Sequence, residues 1–378
     1  MIKALNVRAL EEALPRAGLN QAGLAKAIGV SRESVSKWLK GESIPLPDKL
    51  LRIGMLLGLA FEQMVVTALP EAVPVVSFRR KAARKTKDVH LDNARETGEL
   101  LKRLVKYLPE APLTLAPVLK EPRSDYDYVQ RVAADIRKEM GLEDKAVVDF
   151  EDLIAKFNRL HAVIVPALWG AQEQHGNALN IYLPDSGVTW VFLNLDSNAV
   201  DFKFWMAHEL GHSLAPSLGG DEGESFADAF AQALLFPDAK AALLRSRLAT
   251  VANVGLRIRR IHDEAKAHVI SPYTVRLAVQ AYEVANGLEP LDLGAVGPFM
   301  GSVRTFCKEY KTITQTVFKV SVPKPVDYAA CGKGAFGSSF FEALAAFCKA
   351  EEGCEHYIHQ VLGLPLPDSK ALSEVLRQ

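Results

Sequence analysis

The 378-residue chain reads as an α+β protein: an all-helical domain, then a domain in which a small sheet leads into a histidine-bearing helix, then a C-terminal α+β extension. Three observations predict this. Apolar residues recur at helical spacing through residues 21–39, interrupted once by Gly29. The run WVFLN, residues 190–194, has the β-branched and aromatic character of a strand, and the longer FKFWMAHELGHSL after it has the length and spacing of a helix. A hydrophobic content of 49% over this length is enough for two or three domains with their own cores. The boundaries drawn on this basis are 1–70, a basic helical linker 71–122, 123–288 and 289–378.

Taken in order, LNQAGLAKAIGVSRESVSKWLKGESIP contains two short helices joined by a tight turn at Gly29. Leu24, Ala25 and Ile28 form the inner face of the first helix, and Val35, Trp38 and Leu39 that of the second. Ser31 is placed to cap the second helix. This leaves Arg32, Glu33 and Ser34 at its N-terminal end, the part that meets base edges when such a helix enters a major groove. Lys37 and Lys40 are then placed for phosphates, which position a protein without specifying sequence. A helical protein-interaction module is the alternative.

Charge favours nucleic acid. The net charge of zero conceals two opposed parts: residues 1–90 carry 15 Lys and Arg against 8 Asp and Glu, and the remainder carries 30 against 37. Much of the basic excess lies in FRRKAARKTK, residues 78–87, which reads equally as a phosphate-binding arm or a solvated linker. Residues 4–68 resemble the Xre/Cro-type DNA-binding domain, including Gln21 and the Leu24-Ala25 pair in the first motif helix and Gly41 after the second. Leu39 stands where members of that family often have Glu. The resemblance implies double-stranded DNA as a partner; domains of this type commonly bind paired half-sites as homodimers, though the sequence leaves the oligomeric state of this chain open.

LDNARETGELLKRLVKYL reads as a helix within the linker, followed by a proline-rich stretch from Pro109 to Pro122. YDYVQRVAADIRKEM and DFEDLIAKFNRL read as amphipathic helices, and HAVIV, ALNIYL and VTWVFLN as strands of a small sheet.

The sheet leads into HELGH, residues 208–212. Positions i and i+4 stack on one helix face, so His208 and His212 can reach one tetrahedral Zn²⁺. Glu209 is the adjacent base for a water acidified by the metal to a pKa of about 7. A third ligand is required, and downstream GESFADAFAQALLFP carries Glu224 and Asp228 four apart. Glu224 is favoured over its neighbours Asp221 and Glu222, because Phe226, Ala227, Phe230 and Ala231 give its helix an apolar face that sets its direction. Asp228 can accept the spare ring N–H of a ligating histidine. One Zn²⁺ per chain, with an open fourth position, is the expected cofactor; an acidic helix start favoured by the macrodipole is the plain alternative.

From Val148 to Lys240 the chain resembles the ImmA/IrrE metallopeptidases, through WVFLN, HELGH, ESFADAFA and LLFP, with Phe236 in place of the usual Met. The resemblance implies a gluzincin-like fold, ligands His208, His212 and Glu224, and catalytic base Glu209. It also implies a protein substrate, usually a helix-turn-helix repressor cleaved under stress or another signal. Some members are encoded beside toxins, so a non-proteolytic regulator or antitoxin is the alternative. A third possibility is self-cleavage between residues 70 and 122. In gluzincin-type sites an edge strand beside the metal helix can pair with extended substrate, and VTWVFLN or ALNIYL is expected in that role, or as plain sheet core.

SPYTVRLAVQAY reads as a helix capped by Ser271, and His175, His262, His268 and Tyr273 are the groups available to stabilise an oxyanion. KTITQTVFKVSV reads as a strand within residues 289–378, a region read as a sensor or partner-docking domain. Cys307, Cys331, Cys348 and Cys354 lack metal-binding spacing and read as buried thiols rather than a disulfide framework. No charged-then-apolar leader opens the sequence, and IGMLLGLAF is too short to span a bilayer, so a soluble cytoplasmic protein is expected.

Overall fold

A computed structural model describes residues 2–39, 45, 47–68, 74–78, 88–109, 118–143, 146–170 and 178–378. The chain divides into two compact units, Met1–Val73 and Pro74–Gln378.

In the first unit, strand β1 (Ile2–Leu5) precedes helices α1 (Val7–Arg16), α2 (Gln21–Ile28), α3 (Arg32–Leu39), α4 (Pro47–Leu57) and α5 (Phe61–Met64), and β2 (Val65–Ala68) closes it. The Asn20 side chain caps α2 by accepting the Gly23 N–H at 2.9 Å, and Gly29 ends it at φ 70°, a conformation that costs glycine little. Leu24, Ala25 and Ile28 of α2 and Val35, Trp38 and Leu39 of α3 close over Leu10, Leu14, Leu50, Ile53 and Met64. The unit is not all-helical, contrary to expectation: β1 and β2 pair antiparallel, from Ile2↔Ala68 to Leu5↔Val65. Two four-residue strands at opposite ends of a helical unit have too little local pattern to show in a sequence window.

The second unit opens with β3 (Val75–Phe78), α6 (Asp88–Val105), α7 (Tyr126–Glu139) and α8 (Phe150–Arg159). Strands β4 (Ala162–Ala167), β5 (Ala178–Leu183) and β6 (Val188–Asn194) follow, then α9 (Ala199–Leu214) and α10 (Gly220–Leu235). Helices α11 (Asp238–Ala249), α12 (Val254–His268), α13 (Pro272–Ala285), α14 (Val296–Lys308), α15 (Ile313–Phe318), α16 (Pro325–Phe336), α17 (Phe340–Ala350), α18 (Cys354–Leu362) and α19 (Leu366–Arg377) complete it.

The strands form one sheet in the order β3-β5-β6-β4, with β4 parallel to β6 and the other pairs antiparallel. The sheet is covered on both faces, so β4 and β6 are buried at every position. Asn180 of β5 faces α9. On the other face Ile181 meets α6 at Gly98, and Trp190 of β6 meets Phe340 of α17 edge-on at 6.3 Å.

Three expectations change here. The segment 88–105, read as linker, packs into the core through Ala94, Leu101 and Leu104, because its apolar positions form one helical stripe that needs a partner. The C-terminal region belongs to the same hydrophobic core rather than to a separate one: Tyr328 Oη donates to the Pro166 carbonyl at 2.5 Å and Trp169 Nε1 to that of Leu362 at 3.2 Å. KTITQTVFKVSV contains helix α15, not a strand, since Thr312 and Gln315 form a capping box that outweighs the β-branched composition.

Ser271 caps α13 as expected, accepting the Tyr273 N–H. Cys348 and Cys354 are paired across the turn between α17 and α18, their Cα atoms 5.1 Å apart, so they are not independent thiols; a three-residue turn brings the two helix ends together. Cys331 is buried and Cys307 half-buried. The proline-rich stretch is described only at its ends, where Leu119 donates to the Leu214 carbonyl at 2.8 Å, and the run 79–87 lies outside the described residues.

Candidate metal centre and DNA-facing helix

Helix α9 is buried from Val200 to Leu214, apart from Asp201 and Phe204, which accounts for its apolar character on every side. The Asn198 side chain caps it, accepting the Asp201 N–H at 3.0 Å. After α9 the chain turns through Gly219 and Gly220, the latter at φ 58°, and α10 returns across it. The crossing is tight at Gly211: a Cβ there would lie 3.0 Å from Ala227 Cα and 3.2 Å from Phe230 Cδ1. Two small residues thus let the turn bearing His208 and His212 approach the turn bearing Glu224 and Asp228.

Nε2 of His208 and Nε2 of His212 lie 3.1 Å apart, and Glu224 places one oxygen 3.4 Å from the first and the other 3.3 Å from the second. Tetrahedral ligands about 2.1 Å from a zinc ion stand roughly 3.4 Å from one another, so the three side chains fit such an ion. A buried oxygen of Glu224 without a hydrogen-bond partner agrees with that fit. Among the described residues these three form the one group of histidine, cysteine and acidic side chains with metal-binding geometry; Asp221 and Glu222 are exposed and outside it.

Asp228 Oδ1 lies 3.0 Å from His208 Nδ1, a hydrogen bond that would fix the ring and its tautomer if His208 held a metal. Burial opposes the charge on Glu224, but its attraction to the adjacent His208 and His212 outweighs burial and holds the carboxyl well below the usual range. Glu209 moves the other way. Burial, with the nearby charge of Glu224, pushes its carboxyl well above the usual carboxylate range, and its Oε2 has no hydrogen-bond partner.

Sequence reading missed the support beneath Glu209. The Asn180 amide donates to the Glu209 carbonyl at 3.3 Å and to Ser213 Oγ at 3.0 Å, while Ser213 donates to the same carbonyl at 2.9 Å. The available signal was an amide in the middle of ALNIYL, where an apolar strand residue is the ordinary choice.

Two of the four proposed oxyanion groups have a ring nitrogen with a partner of its own. His262 Nε2 meets Ser302 Oγ at 3.1 Å, His268 Nδ1 meets the Glu264 carbonyl at 2.8 Å, and Tyr273 stands at the start of α13. His175 lies outside the described residues. Neither ALNIYL nor VTWVFLN has a free edge: β5 lies between β3 and β6, and β6 between β5 and β4.

In the first unit, α3 presents Arg32, Glu33 and Lys37 to solvent, with Ser34 half-buried. Ser31 Oγ accepts the Ser34 N–H at 3.0 Å and so caps the helix, and Gln21 is exposed at the start of α2. Lys37 pairs with Glu33 at 3.2 Å. Lys40 and Gly41 lie outside the described residues.

Residues 10–63 match the helix-turn-helix family. With the exposed, capped α3 this makes the first unit a DNA-binding helix-turn-helix of the kind that regulators carry. No curated protein and no solved structure matches the chain. Among the described residues no helix is long and apolar enough to cross a membrane.

Proposed function

We propose that the chain is a DNA-binding regulatory zinc endopeptidase that cleaves a helix-turn-helix repressor or antitoxin-like protein, relieving repression under stress or another signal. The observation that carries this reading is the convergence of His208, His212 and Glu224, with Asp228 on the far nitrogen of His208 and Glu209 buried beside them. The resemblance to ImmA/IrrE peptidases supplies the substrate class.

In this reading His208 and His212 hold zinc through Nε2 and Glu224 through its carboxylate, while Asp228 keeps the proton of His208 on Nδ1. Bound zinc supplies a Lewis acid and lowers the pKa of a coordinated water to about 7. Glu209 would take a proton from the attacking water and return it to the leaving amine as the C–N bond breaks. Asn180 and Ser213 hold the backbone of Glu209 in place. The helix-turn-helix would tether this chemistry to DNA, and domains of its type commonly bind paired half-sites as dimers.

Metal analysis of the purified full chain, with a cleavage assay of Glu209→Gln, tests the reading. About one zinc per chain and loss of cleavage with DNA binding retained are expected; equal cleavage by Glu209→Gln overturns it.

A second reading is a non-proteolytic regulator or antitoxin using the zinc fold as a sensor or protein-binding surface. The family match to the helix-turn-helix segment favours it. Under that reading Glu209→Gln and Glu209→Ala leave every cellular phenotype intact while Arg32→Ala abolishes it.

A further inference from the structure

The edge of β5 is filled by the chain's own β3. Strand β5 pairs with β6 along all six residues on one side. On the other it pairs with β3 along four: Val75↔Tyr182, Val76↔Ile181, Ser77↔Asn180 and Phe78↔Leu179. Two links tie this edge to the metal centre. Asn180, the register partner of Ser77, bonds the backbone of Glu209, and β3 lies against α10, the helix of Glu224 and Asp228. An extended segment along β5 is thus bordered by elements that touch both ligand-bearing helices.

A strand edge offers a row of unpaired N–H and C=O groups, the feature by which extended peptides add to a sheet. β3 is short and begins one residue after Pro74, where α6 clamps it: a Cβ on Gly98 would lie 2.5 Å from Pro74 Cβ and 2.7 Å from Pro74 Cγ. In sequence, β3 follows directly on the DNA-binding unit, which ends at Val73.

We infer that β3 is a built-in competitor of the substrate: residues 75–78 occupy the β5 edge on which an extended segment of a protein substrate pairs, and the centre admits a partner when β3 withdraws. The partner is an extended polypeptide, held by main-chain hydrogen bonds. This inference rests on the peptidase reading.

The test uses the full chain and a fluorescein-labelled peptide, VPVVSFR, which copies residues 73–79. Its binding is followed by fluorescence anisotropy in three proteins: wild type, Gly98→Ala, and a double variant Val75→Cys/Tyr182→Cys. Directly opposed residues of an antiparallel pair lie within disulfide reach, so oxidation of the double variant locks β3 onto β5. Gly98→Ala, which presses on Pro74, is expected to bind the peptide at least about tenfold more tightly than wild type. The oxidised double variant is expected to bind at least about tenfold more weakly than its reduced form. Equal binding by the oxidised and reduced forms, with circular dichroism showing an intact fold, overturns the inference. If Gly98→Ala does not fold, the locked and released forms decide alone. Assaying cleavage in the wild-type chain and in the released, reduced double variant, both with Glu209 intact, separates the two ideas. Loss of the binding order sinks the strand-exchange inference, whereas an intact order in chains that cleave nothing sinks the peptidase reading.

Discussion

Asp228 Oδ1 lies 3.0 Å from Nδ1 of His208, while Nε2 of the same ring faces Nε2 of His212 at 3.1 Å. The carboxylate therefore holds the ring from the side remote from His212, where it would orient His208 as a metal ligand. Loss of such a partner lowers metal affinity by roughly 10- to 100-fold. Asp228→Asn should show a loss of that size in a zinc titration against a chelator, with the fold retained. Wild-type affinity would remove Asp228 from the centre.

Gly211 lies over Ala227 because α9 and α10 cross there with no room for a side chain. Gly211→Ala gains helix propensity, yet its Cβ would stand 3.0 Å from Ala227 Cα and force the helices apart. Overpacking of this kind costs about 1–3 kcal/mol. Urea unfolding should show that loss, accompanied by weaker zinc binding, since the proposed ligands are divided between the two helices. A more stable variant with unchanged zinc affinity would contradict the close crossing.

Lys203 is buried on α9 and donates to the His268 carbonyl at 2.7 Å. Burial lowers its pKa from 10.5 to about 8, against the opposing pull of Asp149, Asp152 and Glu151. Between those two values the unfolded chain binds more protons than the folded one, so this group makes stability rise as pH rises from about 8 to 10.5. Its penalty is fully present below pH 8. The gap corresponds to about 3 kcal/mol at most. Lys203→Met should flatten that rise when unfolding free energies at pH 7.5 and pH 10 are compared; an unchanged rise would exclude Lys203 as its source.

On α3, Arg32 is exposed in the first turn and Lys37 is paired with Glu33 on the surface. Arg32→Ala should cost about 1–3 kcal/mol on the operator and relax specificity at one base position. Lys37→Ala should weaken binding across all sequences and reduce the slope of log K against log salt by about 1. Titrations at several salt concentrations separate these outcomes. An identical effect of both changes on every sequence would argue that neither residue reads bases.

The parts of the centre legible in the sequence are those governed by helical period. His208 with His212, and Glu224 with Asp228, each stand one turn apart, and the structure brings the two turns together. The helix-turn-helix was legible for the same reason, with Gly29 and Ser31 marking its turn and cap. Long-range pairing was not. The β1–β2 ladder joins residues sixty or more positions apart, and β3 enters the sheet beside β5 from a stretch read as linker. Asn180 belongs to the same class, since its role depends on which helix packs over β5. The α15 error had a local remedy: Thr312 and Gln315 spell a capping box, and that pattern outranks a run of β-branched residues.

The most direct measurement is a comparison of new protein N-termini in cells carrying the wild-type chain and cells carrying Glu209→Gln, with the chain present at equal levels. A regulatory peptidase predicts a cut in one helix-turn-helix or antitoxin-like protein that is present with the wild type and absent with Glu209→Gln, where that protein accumulates whole. Identical sets of N-termini in both strains, under conditions that change expression of the regulated genes, would contradict proteolysis as the function of the His208, His212 and Glu224 centre.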